Sequence, residues 1–376
     1  MIRVNRIRAM ALLLTLLTAM LVWLAGCTHH DGPSTPVKPV AEEHPDFVGN
    51  AACAECHANE FKAHHGSRHD RSLQPATSAA LGSLMPGLGV VPLAGYSMSE
   101  KNGVLNLERQ DLQSGKSEIQ PVQLAVGSGK LGMTFISLLG NDMLMETRMS
   151  FFPPYRMWDL TPGQEIKIAA DVPFGRLHNG KDAAACLGCH STAVPANLQK
   201  VVPRFYGVGC EACHGAGAPH IEAMRAQKYS EPHMVDLAKQ SPTQIDDLCG
   251  KCHRTAKDVD LQSVEVELTH RFQPFALQRS ACRTKSNEPL SCLNCHDAHT
   301  DVSTDLKAYE RACLSCHSAP GSVKPTRVDP NIRQAKICPV NKTSGCVGCH
   351  MRPKPAFNKT TIPAKMADHL ISIEKK

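Results

Sequence analysis

The chain has 376 residues with a formal charge of +6, and 5% of its residues are aromatic. So few Phe, Tyr and Trp side chains leave a large core short of its usual bulky fillers, so another group must supply buried apolar area. The 17 cysteines exclude an ordinary protein of a reducing cytosol unless they hold metal or cofactor.

The first 26 residues read as an export signal. Arg3, Arg6 and Arg8 precede an apolar run from Met10 to Ala25, which ends at Gly26-Cys27. The small residues before Cys27 are those of a bacterial lipobox, so Cys27 is the expected lipidation site; an ordinary signal peptide or an uncleaved anchor is the alternative. Several acyl chains on one cysteine hold a protein on a membrane where one chain does not. Thr28, in place of an aspartate, points to the outer membrane. Loss of the three arginines with residues 1–26 takes the charge from +6 to +3. A nucleic-acid partner is not expected. Residues 27–46 are polar and Pro-rich and read as a flexible tether.

Cysteine spacing carries the strongest signal. Seven Cys-x-x-Cys-His motifs recur: Cys53/Cys56/His57, Cys186/Cys189/His190, Cys210/Cys213/His214, Cys249/Cys252/His253, Cys292/Cys295/His296, Cys313/Cys316/His317 and Cys346/Cys349/His350. Two thiols at this spacing reach the two vinyl groups on one porphyrin edge, and the adjoining imidazole binds iron from below. Zinc knuckles also pair cysteines, but zinc does not require histidine after every pair. The expectation is seven covalently bound haem c groups. With fourteen propionates added, the loaded protein becomes acidic.

Three cysteines remain. With Cys27 assigned to lipid, Cys282 and Cys338 are left as a candidate disulfide, two free thiols being the alternative.

Twelve histidines lie outside the motifs, and His29, His30 and His44 fall in or beside the tether. Of the other nine, His69, His178, His220, His270, His299 and His369 are the candidate second axial ligands; His64, His65 and His233 read as solvated side chains. His299 lies three residues after His296 and His220 six after His214, offsets that suit service to a neighbouring haem. His369 would pin the tail. A haem with two imidazoles carries electrons, whereas one with an open position binds a substrate.

Between the first and second motifs the pattern changes. Val104–Glu108 follows a Lys101-Asn102-Gly103 turn signal, Ile119–Val126 alternates, and Met133–Leu139 and Met143–Phe152 flank Gly140-Asn141-Asp142. Residues 88–152 read as antiparallel β structure ended by Pro153-Pro154, with Trp158–Gly163 a packed loop. Gly127–Lys130 reads as a turn, and Met143, Met145 and Met149 as core. The expected fold class is mainly α and irregular: a haem-packed multihaem cytochrome c fold with a small antiparallel β insertion between haems one and two. Its expected divisions are 1–26 signal, 27–46 tether, 47–87 first haem segment, 88–175 insertion, 176–355 six-haem domain and 356–376 a tail supplying a ligand.

Several stretches resemble a known group. Phe47–His57 with Gly66-Ser67-Arg68-His69 is similar to the opening of many bacterial multihaem cytochromes, as are Gly207–Gly215, Cys292–His299 (with Ala298 in a proline's place) and Cys346–Met351. That class includes tetrahaem cytochromes of ammonia oxidisers, pentahaem nitrite reductase and octahaem hydroxylamine oxidoreductase. The resemblance implies distal-ligand roles for His69 and His299. The Cys-x-x-Cys-Lys haem of those nitrite reductases is absent, and no tyrosine matches the cross-link of hydroxylamine oxidoreductases. The reading is a lipid-anchored electron carrier of the cell envelope, its partners other cytochromes or a membrane quinol oxidoreductase. The alternatives are a multihaem oxidoreductase acting on a small nitrogen or sulfur compound at one open haem, and a module that docks a partner enzyme through the β unit.

Overall fold

The computed structural model describes residues 44–85, 95–111, 113–164, 172–194, 197–198, 201–259, 266–286, 290–319, 335–357 and 361–373. The chain divides into two units, residues 1–42 and 43–376, and every described residue belongs to the second. The signal, Cys27, His29, His30 and residues 27–43 of the tether lie outside the described residues.

The region after the first motif is built on three strand groups. The strands are β1 (Leu73–Pro75), β2 (Tyr96–Lys101), β3 (Val104–Gln110), β4 (Ser117–Val122), β5 (Leu124–Val126), β6 (Met133–Leu139), β7 (Met143–Phe152), β8 (Met157–Leu160), β9 (Gly175–Asn179), β10 (Pro353–Pro355) and β11 (Lys365–Ala367). Strands β2-β3-β4 form one antiparallel sheet; β1-β5-β6-β7-β8 form a second, to which β9 adds beside β7; β10 and β11 pair alone.

Local chemistry sets these elements. Lys101 pairs with Val104 across Asn102 and Gly103, both at positive φ (54° and 77°). That is the two-residue hairpin turn whose twist matches the strands it joins, and Asn-Gly tolerates it best. In β2, Tyr96 and Met98 are buried while Ser97 and Ser99 are half-buried, the period of two of a one-faced strand. The stretch Ile119–Val126 serves two sheets: β4 pairs β3, and β5 pairs β6. At the crossing Gln123 donates its N–H to Ile136 O and accepts from Leu138 N.

Two expectations from the sequence fail in this region. The sheet does not end at Pro153-Pro154: these residues open a single 3₁₀ turn, Arg156 takes a left-handed conformation (φ 51°), and β8 returns along β7. Residues 158–160 are therefore strand, not loop. Trp158 packs on Phe135 and Phe151, with ring centres 5.7 and 5.1 Å apart, an aromatic gain that holds the returning strand. The second sheet also recruits β1 from before the expected insertion and β9 from its end.

The larger sheet separates two apolar cores. Phe135, Met145 and Met149 face Leu105, Leu107 and Val122 of the small sheet. Ile136 and Leu144, the neighbours of Phe135 and Met145, point the other way and meet Leu73, Leu124, Ala183 and Leu187. Alternation along β6 and β7 thus makes three layers: small sheet, large sheet and the helix Gly180–His190. A third cluster joins Phe152 to Ala356, Ile362 and Ala364, so the β10–β11 tail rests on the end of β7. The Asp159 carboxylate accepts the Thr361 N–H and hydroxyl at 2.8 and 2.7 Å.

From residue 210 to 350 the buried apolar residues among those described are Ala223, Ile245, Phe275, Ala276, Leu277, Ala312 and Val347. Three of these are alanine. Short helices in this stretch have little side-chain core of their own, which leaves apolar area for a planar group to fill.

Candidate haem-attachment sites

Each motif ends in a turn of helix. The turns lie within or beside Asn50–Ala54, Gly180–His190, Cys210–His214, Pro242–His253, Cys292–Asn294, Lys307–His317 and Cys346–His350. Positions i, i+3 and i+4 share one helical face, so the first cysteine, the second cysteine and the histidine point the same way. In the first and fifth motifs the last N–H closes this turn directly: His57 N donates to Cys53 O and His296 N to Cys292 O, each at 2.9 Å.

The motif cysteines are not equally enclosed. Cys56, Cys295 and Cys349, the second cysteines of the first, fifth and seventh motifs, are exposed. Cys53, Cys186, Cys189, Cys210, Cys213, Cys249, Cys252, Cys292, Cys313, Cys316 and Cys346 are half-buried. The reason is plain at Cys349. Its helix is one turn long, Cys346–His350, and the turn buries Val347 against the protein. Cys349 lies two residues on, about 200° around the helix, and so faces outward. Its N–H donates to Gly345 O at 3.2 Å, which keeps the turn closed and the thiol on the same face as Cys346.

Five of the seven motif imidazoles are held by Nδ1. It meets Ser72 O for His190 (3.2 Å), Val235 O for His214 (2.9 Å), Lys336 O for His317 (2.8 Å) and Ser372 O for His350 (2.9 Å). His253 Nδ1 meets Gln273 Oε1 at 3.2 Å. Donation from Nδ1 fixes the tautomer and leaves Nε2 free to accept a metal. Two spare histidines are held alike: His220 Nδ1 on Pro232 O (2.7 Å) and His369 Nδ1 on Ala367 O (3.2 Å).

Four motif histidines face a spare histidine. Ring centres are 6.3 Å apart for His57 and His220, 6.2 Å for His253 and His69, 6.1 Å for His214 and His299, and 6.2 Å for His296 and His369. Two imidazoles that each hold one metal ion at about 2.0–2.1 Å, with ring centres about 1.1 Å farther back, stand about 6.3 Å apart. The residues present therefore fit a haem iron between each pair. The partners come from distant segments: His220 serves the first motif, His69 the fourth, His299 the third and His369 the fifth.

Two candidates are placed otherwise. His178, on β9, has Nε2 3.4 Å from Glu146 Oε2, a carboxylate shared with Arg176 at 2.6 Å. His270 is buried and its Nε2 meets Pro355 O at 2.7 Å. Both engage the nitrogen that a distal ligand needs. Among the described residues, His190, His317 and His350 are in no facing ring pair of this kind. His65 meets Asp70 at 3.2 Å, His233 meets Glu231 at 3.8 Å and His44 meets Val194 O at 3.0 Å. His64 differs from its solvated expectation, being 9% exposed.

Burial pushes the imidazoles of His69, His190, His253 and His296 below the ordinary histidine value. It lowers His369 to about 4. A buried imidazole resists the charged form, so these rings stay neutral and able to donate a lone pair. Desolvation by the surrounding protein likewise raises the Cys313 thiol to about 12, and the Cys295 thiol to about 11 although part of that residue is open to solvent.

The expected Cys282–Cys338 bridge is not formed: both are free thiols. Cys282 lies within electrostatic range of Cys316, Cys295 and Cys313, inside the motif cluster. Cys338 sits in a turn where its sulfur accepts the Asn341 N–H at 3.4 Å. Two leftover cysteines make an even number, but parity says nothing about which surfaces meet.

Sequence reasoning missed the side chains that clamp the motifs together. Glu211, inside the third motif and 2% exposed, accepts the N–H groups of Val48 (2.9 Å), Gly49 (2.8 Å) and Gly217 (2.8 Å). It ties the lead into the first motif to the start of the helix Ala218–Arg225, which carries His220. Asn50 Oδ1 accepts Cys210 N at 2.9 Å. Asp246 is fully buried, 3.0 Å from Arg283, with Oδ1 3.6 Å from the Cys292 sulfur. The signal available was an acidic residue between two cysteines, at Glu211, and nothing in the spacing distinguished it from a solvated one.

Residues 158–215 match the family model described as cytochrome c554 and c-prime. Over 225 residues, 51% of this chain and 60% of the relative, the chain is 26% identical to the multiheme cytochrome MtrA of Shewanella baltica (strain OS185). It is 36% identical over 77 residues to the C-type polyheme cytochrome OmcC of Geobacter sulfurreducens (strain ATCC 51573 / DSM 12127 / PCA), covering 18% of this chain and 9% of that one. The chain thus spans less than two thirds of the length of these curated relatives. The solved structure of the outer cell wall cytochrome OcwA superposes with a TM-score of 0.47 at 17% identity, covering 87% of this chain and 79% of the other. The chain is thus similar, over parts of its length, to multihaem c-type cytochromes.

Proposed function

We propose that the protein is a heptahaem electron-transfer cytochrome: one haem c on each of the seven motifs, the whole exported and lipid-anchored at Cys27 on the bacterial outer membrane. The observation that carries it is the set of four facing imidazole pairs at 6.1–6.3 Å, each pairing a motif histidine with a spare one. A haem bound there supplies one-electron chemistry. The chain's own part is to bring the two imidazoles of each pair together and to fix the tautomers of His214, His220 and His369 through backbone carbonyls. Cys53, Cys56 and the other twelve motif cysteines, through Cys346 and Cys349, anchor the groups. His69, His220, His299 and His369 complete four of them. MtrA and OmcC are multiheme and polyheme cytochromes by name, which supports redox partners of the same kind, with a membrane quinol oxidoreductase the other candidate donor.

The test is a haem count on the purified protein by pyridine haemochrome, with peptide mapping of each motif. Seven haems per chain and a lipid-modified Cys27 are expected. Fewer than seven, or zinc in place of iron, overturns the reading.

A second reading is an oxidoreductase acting on a small nitrogen or sulfur compound. The observation in its favour is that the Nε2 atoms of His178 and His270 are engaged elsewhere, while His190, His317 and His350 are in no facing pair among the described residues. Electron paramagnetic resonance of the oxidised protein during a nitrite or hydroxylamine titration decides it. A high-spin signal that responds to the compound favours the enzyme; only low-spin signals favour the carrier.

A further inference from the structure

Three of the spare histidines that face a motif histidine lie on segments that also hold the imidazole of a different motif. The tail shows this most simply. His369 faces His296 of the fifth motif, with ring centres 6.2 Å apart. Three residues on, Ser372 grips the seventh motif at two points. Its carbonyl accepts His350 Nδ1 at 2.9 Å, and its N–H donates to His350 O at 3.3 Å. The Ile371 N–H, donated to His369 O at 2.9 Å, closes the turn between the two residues. Among the described residues, His350 is the hydrogen-bond partner of Ser372.

The arrangement recurs twice. His220 faces His57 of the first motif at 6.3 Å. The loop that follows its helix, residues 226–236, reaches back to it through Pro232 O, which accepts His220 Nδ1 at 2.7 Å. Three residues beyond Pro232, Val235 takes His214 of the third motif by both ends: its carbonyl accepts Nδ1 at 2.9 Å and its N–H donates to His214 O at 3.0 Å. Gln227 and His233 take left-handed conformations (φ 60° and 53°) along this loop. Its side chains are exposed apart from half-buried Met234, so backbone contacts hold it in place. In the third case His69 faces His253 of the fourth motif at 6.2 Å. Ser72, again three residues on, accepts His190 Nδ1 at 3.2 Å and donates its hydroxyl to His190 O at 3.0 Å. Ser72 O also accepts Gly127 N at 2.7 Å, so the large sheet fixes this clamp.

Donation from Nδ1 raises the basicity of an imidazole toward a metal at Nε2. Hydrogen bonding around the axial ligands is one of the levers on a haem's potential, so a clamp that moves changes the site it holds. We infer that the three segments are shared positioning elements: each supplies the distal ligand of one site and sets the hydrogen bond on the motif imidazole of another. They link the fifth site to the seventh, the first to the third and the fourth to the second. The inference rests on a haem being attached at these motifs, as proposed above. It gives His190 and His350, which are in no facing pair among the described residues, a tie to the ligands of sites that are paired.

The test uses the fully loaded holoprotein, read by electron paramagnetic resonance through a redox titration with a haemochrome count. His299→Ala identifies the third site's signal by turning it high-spin, and His350→Met identifies the seventh by displacing or removing it. In His369→Ala one low-spin signal is expected to become high-spin and the seventh to shift, although no residue of the seventh motif has changed. In His220→Ala one signal is expected to become high-spin and the third to shift. His299→Ala is the control: among the described residues its segment holds no other motif imidazole, and the seventh signal is expected to stay in place. The inference is overturned if the seventh signal is unmoved in His369→Ala, if the third is unmoved in His220→Ala, or if His299→Ala moves the seventh as well. Should His369→Ala lose a haem, Ser372→Pro removes the N–H given to His350 and keeps His369. A shifted seventh signal with the fifth site still low-spin is then expected, and an unmoved seventh signal again overturns the inference. A wild-type protein whose peptide map shows no haem on these motifs defeats the functional reading itself. Seven haems whose signals change independently defeat only the shared clamps.

Discussion

The rings of His214 and His299 lie parallel, 1° between their planes, with centres 6.1 Å apart. The His299 main chain is held in a tight turn, its N–H donated to Asp297 Oδ1 at 3.0 Å. His299→Ala is expected to convert one low-spin haem to high-spin and leave the haem count at seven, because attachment depends on Cys210 and Cys213. Electron paramagnetic resonance and a haemochrome assay check both halves.

Glu211 predicts a stability effect. Its buried carboxylate accepts three backbone N–H groups. Hydrogen bonds to a charged group contribute more than neutral ones, and deleting the acceptor strands three donors, so Glu211→Ala is expected to cost at least about 3 kcal/mol. Denaturant unfolding measures it. The same variant is expected to weaken the His57–His220 pair, since both flanking segments hang on this side chain.

Asp246 and Arg283 form a buried ion pair at 3.0 Å. Removing one partner from such a pair leaves an uncompensated charge and costs about 3–5 kcal/mol, while neutralising both is far milder. Arg283→Gln is therefore expected to unfold at lower denaturant than Asp246→Asn/Arg283→Gln. Equal midpoints would mean the pair is not carrying charge.

Gly207 tests the packing of the third motif's approach. It has φ 74°, and an added Cβ would lie 1.8 Å from Asp70 O. Val208 N also donates to His69 O at 2.8 Å, so the backbone before Cys210 is pressed against the segment carrying His69. Gly207→Ala is expected to force these segments apart and to weaken the His69–His253 pair, visible as a new high-spin signal.

Much of the candidate site was legible because its chemistry is local. Cys-x-x-Cys-His places three groups on one helical turn whatever the rest of the chain does, and the Asn102-Gly103 turn selects its hairpin by backbone conformation alone. How deeply each motif is enclosed was not legible: Cys349 and Cys316 hold the same place in identical patterns, yet one is exposed and the other half-buried. His178 and His270 looked as eligible as His69 or His220 because a spare histidine carries no mark of what lies opposite it. Trp158 looked like loop because two prolines preceded it, and the aromatic pocket formed by Phe135 and Phe151 lies outside that window.

The sequence by itself determined the local geometry of the motifs: fourteen cysteines and seven histidines, each set confined to five residues where one turn of helix brings them to one face. Only the tertiary structure decided which imidazole faces which and where the two leftover cysteines sit. These depend on contacts between residues far apart in the chain, such as His57 with His220 and Asn50 with Cys210. Such contacts are chosen by the packing of whole segments, through Glu211, Asn50 and the large sheet, and spacing along the chain does not encode that choice.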